Sequence, residues 1–118
     1  MINGKTAEME LNTRRAADAR HPPFITTFML PATHPALPEG TILREGTASG
    51  TAELATASGT QTLLGVLDTR VDANEGSCNV IIHGSCPSDI LVTVAANGDT
   101  TPASAALIKS LRGIGIYV

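Results

Sequence analysis

Aromatic side chains are almost missing from this chain: Phe24, Phe28 and Tyr117 are the whole set in 118 residues, and tryptophan is absent. A surface that stacks nucleic-acid bases needs such rings, and one that tracks the phosphate backbone needs a basic field. Only 8 Lys and Arg stand against 11 Asp and Glu, for a net charge of −3. Nucleic acid is therefore not an expected partner. Cysteine is scarce too, with Cys78 and Cys86 alone, and two thiols make no disulfide framework. On an extended chain their Cα atoms would lie roughly 26 Å apart at about 3.3 Å per residue, beyond disulfide reach. Reduced packing thiols are expected, which fits an intracellular life.

Strong charge asymmetry is missing as well. Residues 1–20 carry a net charge of +1 and the remaining 98 a net charge of −4, too mild a difference for a basic arm. No apolar stretch follows Met1, so no secretory leader is expected. From His21 to Pro38 the chain is uncharged for 18 residues, but five of these are proline. Such a segment cannot keep its backbone hydrogen bonds as a lipid-facing helix. A soluble protein without a membrane partner is expected.

What is present is punctuated. Residues 1–38 read as an extended N-terminal arm, and residues 39–118 as a β-rich domain. Within the arm, Phe24 to Leu30 is a short β-prone core bracketed by prolines. Thr41–Arg44 predicts a strand. Glu45 to Thr62, where TASGT occurs at 47–51 and again at 56–60, predicts a hairpin or surface loop. Leu63–Leu67 is a continuous apolar run, as in a buried strand. Asp68 to Ser77 is polar and turn-rich, and Cys78–Ser85 predicts the next strand, with Val80, Ile82 and Gly84 on one face and Ile81 and His83 on the other. Ile90–Ala95 predicts another strand, ahead of the Asn97-Gly98 turn. The helix is expected after a Thr101 cap, with Pro102 in its first turn, a stripe of Ala103, Ala106, Leu107 and Leu111, and Gly113 stopping it. Ile114–Val118 closes the chain as a strand. The class is mainly β with one short helix.

Chemistry-bearing motifs fail one after another. Cys78, His83 and Cys86 lack the close ligand pair of a zinc site. Counted from Asp72, the Asp72, Asn74, Glu75, Gly76 loop places glycine and glutamate wrongly for an EF-hand. Gly46 and Gly50 are followed by no Gly-Lys-Ser/Thr, and Gly113-Ile114-Gly115 follows a helix rather than opening one. Cys78 and Cys86 have no local signature linking them to His21, His34 or His83. Asp68 and Asp72 read as solvated loop acids. The expectation is a non-enzyme without catalytic, metal or cofactor-binding residues.

One resemblance spans residues 37–118. The ordered pieces LPEGTIL, LLGVLDTRVDANEG, CNVIIHGSCPSDIL and AALIKSLRGIGIYV look like the bacteriophage head decoration (capsid cement) protein family of the lambda type. Gly65-Val66-Leu67, Val71-Asp72-Ala73, His83-Gly84 and Gly113-Ile114 stand where that family has its corresponding strand, loop, strand and closing elements. The resemblance implies a small β-barrel or β-clip-like fold, the β-tulip, with a short C-terminal helix. It further implies a homotrimer on the outside of the expanded capsid, at threefold sites of the major capsid protein, stabilising the shell against DNA pressure. The protein would then reside on the virion surface, and in the host cytoplasm during assembly. By the same resemblance the arm contacts the capsid, with Phe24, Ile25, Thr26, Thr27, Phe28, Met29 and Leu30 as the pairing strand. The alternative is a small β-barrel binding module of a phage tail or host-attachment structure.

Overall fold

Leu63–Leu67 and Ser77–Ser85 pair at the centre of the main sheet through Val66↔Ile81 and Leu67↔Val80, where successive apolar residues enter opposite cores. A computed structural model describes residues 23–56 and 61–118. Its strands are β1 (Phe24–Met29), β2 (Ile42–Glu45), β3 (Ala52–Leu54), β4 (Leu63–Leu67), β5 (Ser77–Ser85), β6 (Val92–Val94), β7 (Thr100–Pro102) and β8 (Ile116–Tyr117). One α-helix is present among the described residues, α1 (Ala105–Gly113). The main sheet runs β1-β5-β4-β2-β3, with antiparallel pairing throughout this path. β8 joins β5 in parallel, through Gly84↔Ile116 and Ser85↔Tyr117, while β6 and β7 form a separate ribbon. The described chain is mainly β with one helix, as its punctuation predicts.

Successive residues on a strand point to opposite faces, and here neighbours go to different cores. Ile42, Val66 and Ile81 join Leu107, Leu111 and Ile116 under α1 and β8. Leu43, Leu67 and Val80 join Leu30, Leu37 and Val94 on the other face. Burying each such side chain stabilises by about 1.5–3 kcal/mol. A sheet covered on both faces explains why β4 reads as an unbroken apolar run rather than an alternation.

Residues 23–38 belong to this body as far as they are described. β1 is antiparallel to β5, from Phe24↔His83 to Met29↔Ser77. Leu30 and Leu37 are buried in the second core. Leu37 and Val71 exchange backbone hydrogen bonds of 3.0 Å each way. The part of the expected arm from Pro23 to Pro38 thus packs with the domain that was expected to begin at Glu39. The remaining part of that arm, residues 1–22, lies outside the described residues, as do residues 57–60 of the second TASGT.

The helix starts later than its sequence punctuation predicts. Thr101 and Pro102 lie in β7, opposite Thr93 and Val92. Ser104 is the N-cap, its Oγ accepting from the Leu107 N–H at 3.2 Å. Proline suits the edge of a two-stranded ribbon because no ladder donor is required of it there. Gly113 is the last helical residue rather than the stop, and Gly115 takes the positive φ of +97°. Ile90 also leaves its expected strand, ending a single 3-10 turn over Ser88–Ile90. No described helix is long and apolar enough to cross a membrane.

Candidate docking surface at the open edge of the sheet

β1 ends the strand path, so its edge away from β5 pairs with no strand among the described residues. Among the described residues its last residue alone is covered: Met29 forms a bridge to Thr51, with its N–H donating to Gly50 O at 2.9 Å. The strand is uncharged and extended because Phe, Ile and Thr favour that backbone, and Pro23 and Pro31 bracket it. A register shift between Phe24 and Ile25 bends its first residue out of line.

The seven residues expected to pair with a partner separate by burial. Phe24 is 67% exposed and Met29 54%, and Thr26 and Thr27 are exposed. Thr27 Oγ1 donates to Asn79 Oδ1 at 3.0 Å, across to β5. Ile25 packs against one core and Phe28 against the other. Leu30 is buried, and its N–H donates to Gly76 O at 3.0 Å. Four of the seven therefore offer side chains to a partner, and three anchor the strand to its own body.

A feature that sequence reading missed stands at the start of β1. His83, on β5, lies between two rings, 6.0 Å from Phe24 and 6.0 Å from Tyr117 by centroid, both edge-to-face at 68° and 88°. Tyr117 is 41% exposed and Ile114 37%. Two of the three aromatic residues of the chain thus meet on the surface around an exposed imidazole. Two glycines permit the approach. A Cβ on Gly115 would stand 2.5 Å from His83 Cδ2, and a Cβ on Gly84 would stand 3.0 Å from Pro23 Cα. Their φ values of +97° and +140° are conformations that other residues adopt only under strain. The sequence signal was the rarity of the rings themselves, but only the β1–β5 and β5–β8 pairings bring them together.

The residues weighed for other chemistry are not assembled. Cys78 lies in one core and Cys86 in the other, both as free thiols. Burial pushes the Cys78 thiol up to about 11, against a smaller lowering by a backbone hydrogen bond from Phe28, so it is no ready nucleophile at neutral pH. Among the described residues no group of three His, Cys, Asp or Glu stands close enough to hold a metal ion. The Asp72–Gly76 loop is tied to itself: Asp72 N–H donates to Glu75 Oε1 at 2.6 Å, and Glu75 N–H to Asp72 O at 3.2 Å. Asn74, at φ +64°, accepts from the His34 N–H at 3.0 Å through Oδ1 and donates its own N–H to His34 O at 3.1 Å. His34 itself is buried, its ring nitrogens each 2.7 Å from a carbonyl oxygen, of Pro35 and of Glu75. The histidine is thus a clasp between the 31–38 segment and the loop.

A hollow of about 480 Å³ lies between Leu54–Thr56 and the β6–β7 ribbon and is lined by alanine, valine, leucine and threonine. It offers no charged group to orient a small ligand. The outer edge of β1 pairs with no strand among the described residues, apart from the bridge at Met29. No protein-family model, curated protein or solved structure matches this chain.

Proposed function

We propose that the protein decorates a bacteriophage head, seated as a homotrimer at threefold positions on the outer face of the expanded capsid and docked on the major capsid protein through β1. The observation that supports this reading is the open edge of β1, six residues without a charge whose outer side no strand covers among the described residues. Exposed edges ordinarily carry lysine or inward charges that discourage strand addition. β1 has none of these, and its bulge is confined to its first step. A strand of the capsid protein laid along it would gain main-chain hydrogen bonds, with Thr27 and Met29 reading one face and Phe24 and Thr26 the other. Three such edges on one trimer raise the effective concentration of each contact. A ligand that binds only the expanded lattice stabilises that lattice by mass action.

The test is co-sedimentation of the full-length protein with expanded and unexpanded shells lacking decoration. Saturable binding to expanded shells alone, at about one copy per capsid subunit, is expected for a mass-action cement. Thr26→Lys places a charge on the exposed edge without touching either core, and it should weaken that binding at least tenfold while leaving the circular dichroism unchanged. Absence of binding to both shells would replace this reading with that of a tail or host-attachment module.

A further inference from the structure

The tip of the β6–β7 ribbon holds Asn97-Gly98, a pair that the docking surface does not use. Asn97 is exposed there, and both ends of its amide are engaged. Its Oδ1 accepts from the Asp99 N–H at 3.0 Å, and its Nδ2 donates to Asp99 Oδ2 at 3.1 Å. The Gly98 N–H donates to Ala95 O at 2.8 Å, and the Ala95 N–H donates to Asp99 O at 2.8 Å. These four hydrogen bonds close the turn between Ala95 and Asp99.

An asparagine followed by glycine is chemically labile, because glycine has no side chain to hinder closure of its own nitrogen onto the asparagine amide carbon. The Gly98 nitrogen gives up its proton to hydroxide and attacks Asn97 Cγ. A C–N bond forms, the Cγ–Nδ2 bond breaks, and Nδ2 leaves as ammonia after taking a proton from water. The cyclic imide then takes up water. Opening at Cγ gives aspartate, whereas opening at the backbone carbonyl of residue 97 gives isoaspartate, whose main chain runs through Cβ and Cγ.

The closed turn occupies both reacting groups: the Gly98 N–H is bound to Ala95 O, and the Asn97 amide is turned onto Asp99. Reaction therefore requires the ribbon to open. Local opening is favoured because β7 pairs with β6 alone among the described residues, and Thr100, Thr101 and Pro102 are all exposed. The product then works against closure. A carboxylate at position 97 would face the Asp99 carboxylate where an amide donor stood 3.1 Å away, and like charges repel. Isoaspartate lengthens the backbone inside the turn and puts the Ala95–Asp99 pairing out of register.

We propose that Asn97 is a modification site, converted without an enzyme to aspartate and isoaspartate, and that the change is one-way: the closed ribbon holds the reaction back, and the product keeps the ribbon from closing again. The inference is independent of the capsid reading, and its test requires no shell.

Full-length protein is held in mildly alkaline buffer, either folded or in urea. Conversion at Asn97 is followed by peptide mapping, which separates it from Asn3-Gly4, the other such pair in the sequence. Folded protein should convert at least about tenfold more slowly than unfolded protein. Asp99→Ala removes the acceptor of Asn97 Nδ2 and should quicken conversion about two- to tenfold in the folded protein, but not in urea. Equal rates for folded and unfolded wild type would overturn the protection, whatever the variant does. Equal rates for folded wild type and folded D99A would overturn the turn as its source. Asn97→Asp stands in for the aspartate product, and amide exchange at Ala95 should quicken about tenfold in it. Adding Asp99→Asn to that variant removes the repulsion and should return exchange towards wild type. Unchanged exchange at Ala95 in N97D would overturn the one-way step.

Discussion

Gly115 lies so close to His83 that any side chain at position 115 must displace the imidazole: a Cβ there would lie 2.5 Å from the His83 Cδ2 atom. The same glycine turns the chain at φ +97° between α1 and β8. One position thus ends the helix, aims β8 at β5 and seats the imidazole between Phe24 and Tyr117.

Gly115→Ala should therefore act twice, through backbone strain and through displacement of the His83 ring. A loss of about 1–3 kcal/mol is expected from the backbone alone, together with changed tyrosine emission. Urea unfolding followed by circular dichroism measures it. Stability within error of wild type would contradict the packing described for this turn.

Ser104 and Thr101 separate the two possible starts of the helix. Ser104→Ala removes the hydroxyl that accepts from the Leu107 N–H and should cost about 1 kcal/mol. Thr101→Ala, on an exposed ribbon position, should stay within about 0.5 kcal/mol of wild type. The reverse order would restore Thr101 as the cap.

Buried His34 has a ring nitrogen 2.7 Å from the carbonyl oxygen of Pro35 and the other 2.7 Å from that of Glu75. His34→Phe keeps the ring volume and leaves the Glu75 carbonyl without that partner. A loss of about 0.5–1.5 kcal/mol is expected from the missing hydrogen bond. Hydrogen exchange should also quicken at Asn74, whose N–H donates to His34 O, because the loop would open more often. An unchanged exchange rate at Asn74 would contradict the clasp.

Cys78 sets an alkaline limit. Its thiol is raised from 9.0 to about 11 by burial, so between those values the folded protein holds a proton that the unfolded chain has released. Folding stability contributed by the neutral thiol is complete below pH 9 and falls as pH rises towards about 11. Cys78→Ala should flatten that part of the stability profile, as measured by denaturant unfolding across the range. A profile of the same slope in the variant would assign the decline to other groups.

Much of the fold was legible locally. The apolar run Leu63–Leu67 coincides with β4, the β5 prediction misses only Ser77, and Gly98 does turn the β6–β7 ribbon at φ +94°. These elements announce themselves because strand periodicity and turn chemistry act over a few residues. The helix start was not legible, since Thr101-Pro102 and Ser104 both carry cap chemistry. The choice fell to the pairing of Thr100–Pro102 with Val92–Val94, a contact that local propensity does not register.

The sequence by itself determined the class of the protein. Sparse rings, modest charge and β-branched runs between glycine and proline specify short strands, whatever their arrangement. It also marked Phe24–Leu30 as extended. Tertiary structure alone decided that β1 would lie against β5 of its own chain, with no strand on its other edge among the described residues, and that Leu30 would be buried. It alone gathered Phe24, His83 and Tyr117, because strand pairing joins residues that are distant along the chain, and register, which sets which side chains meet, is a property of two strands together rather than of either one.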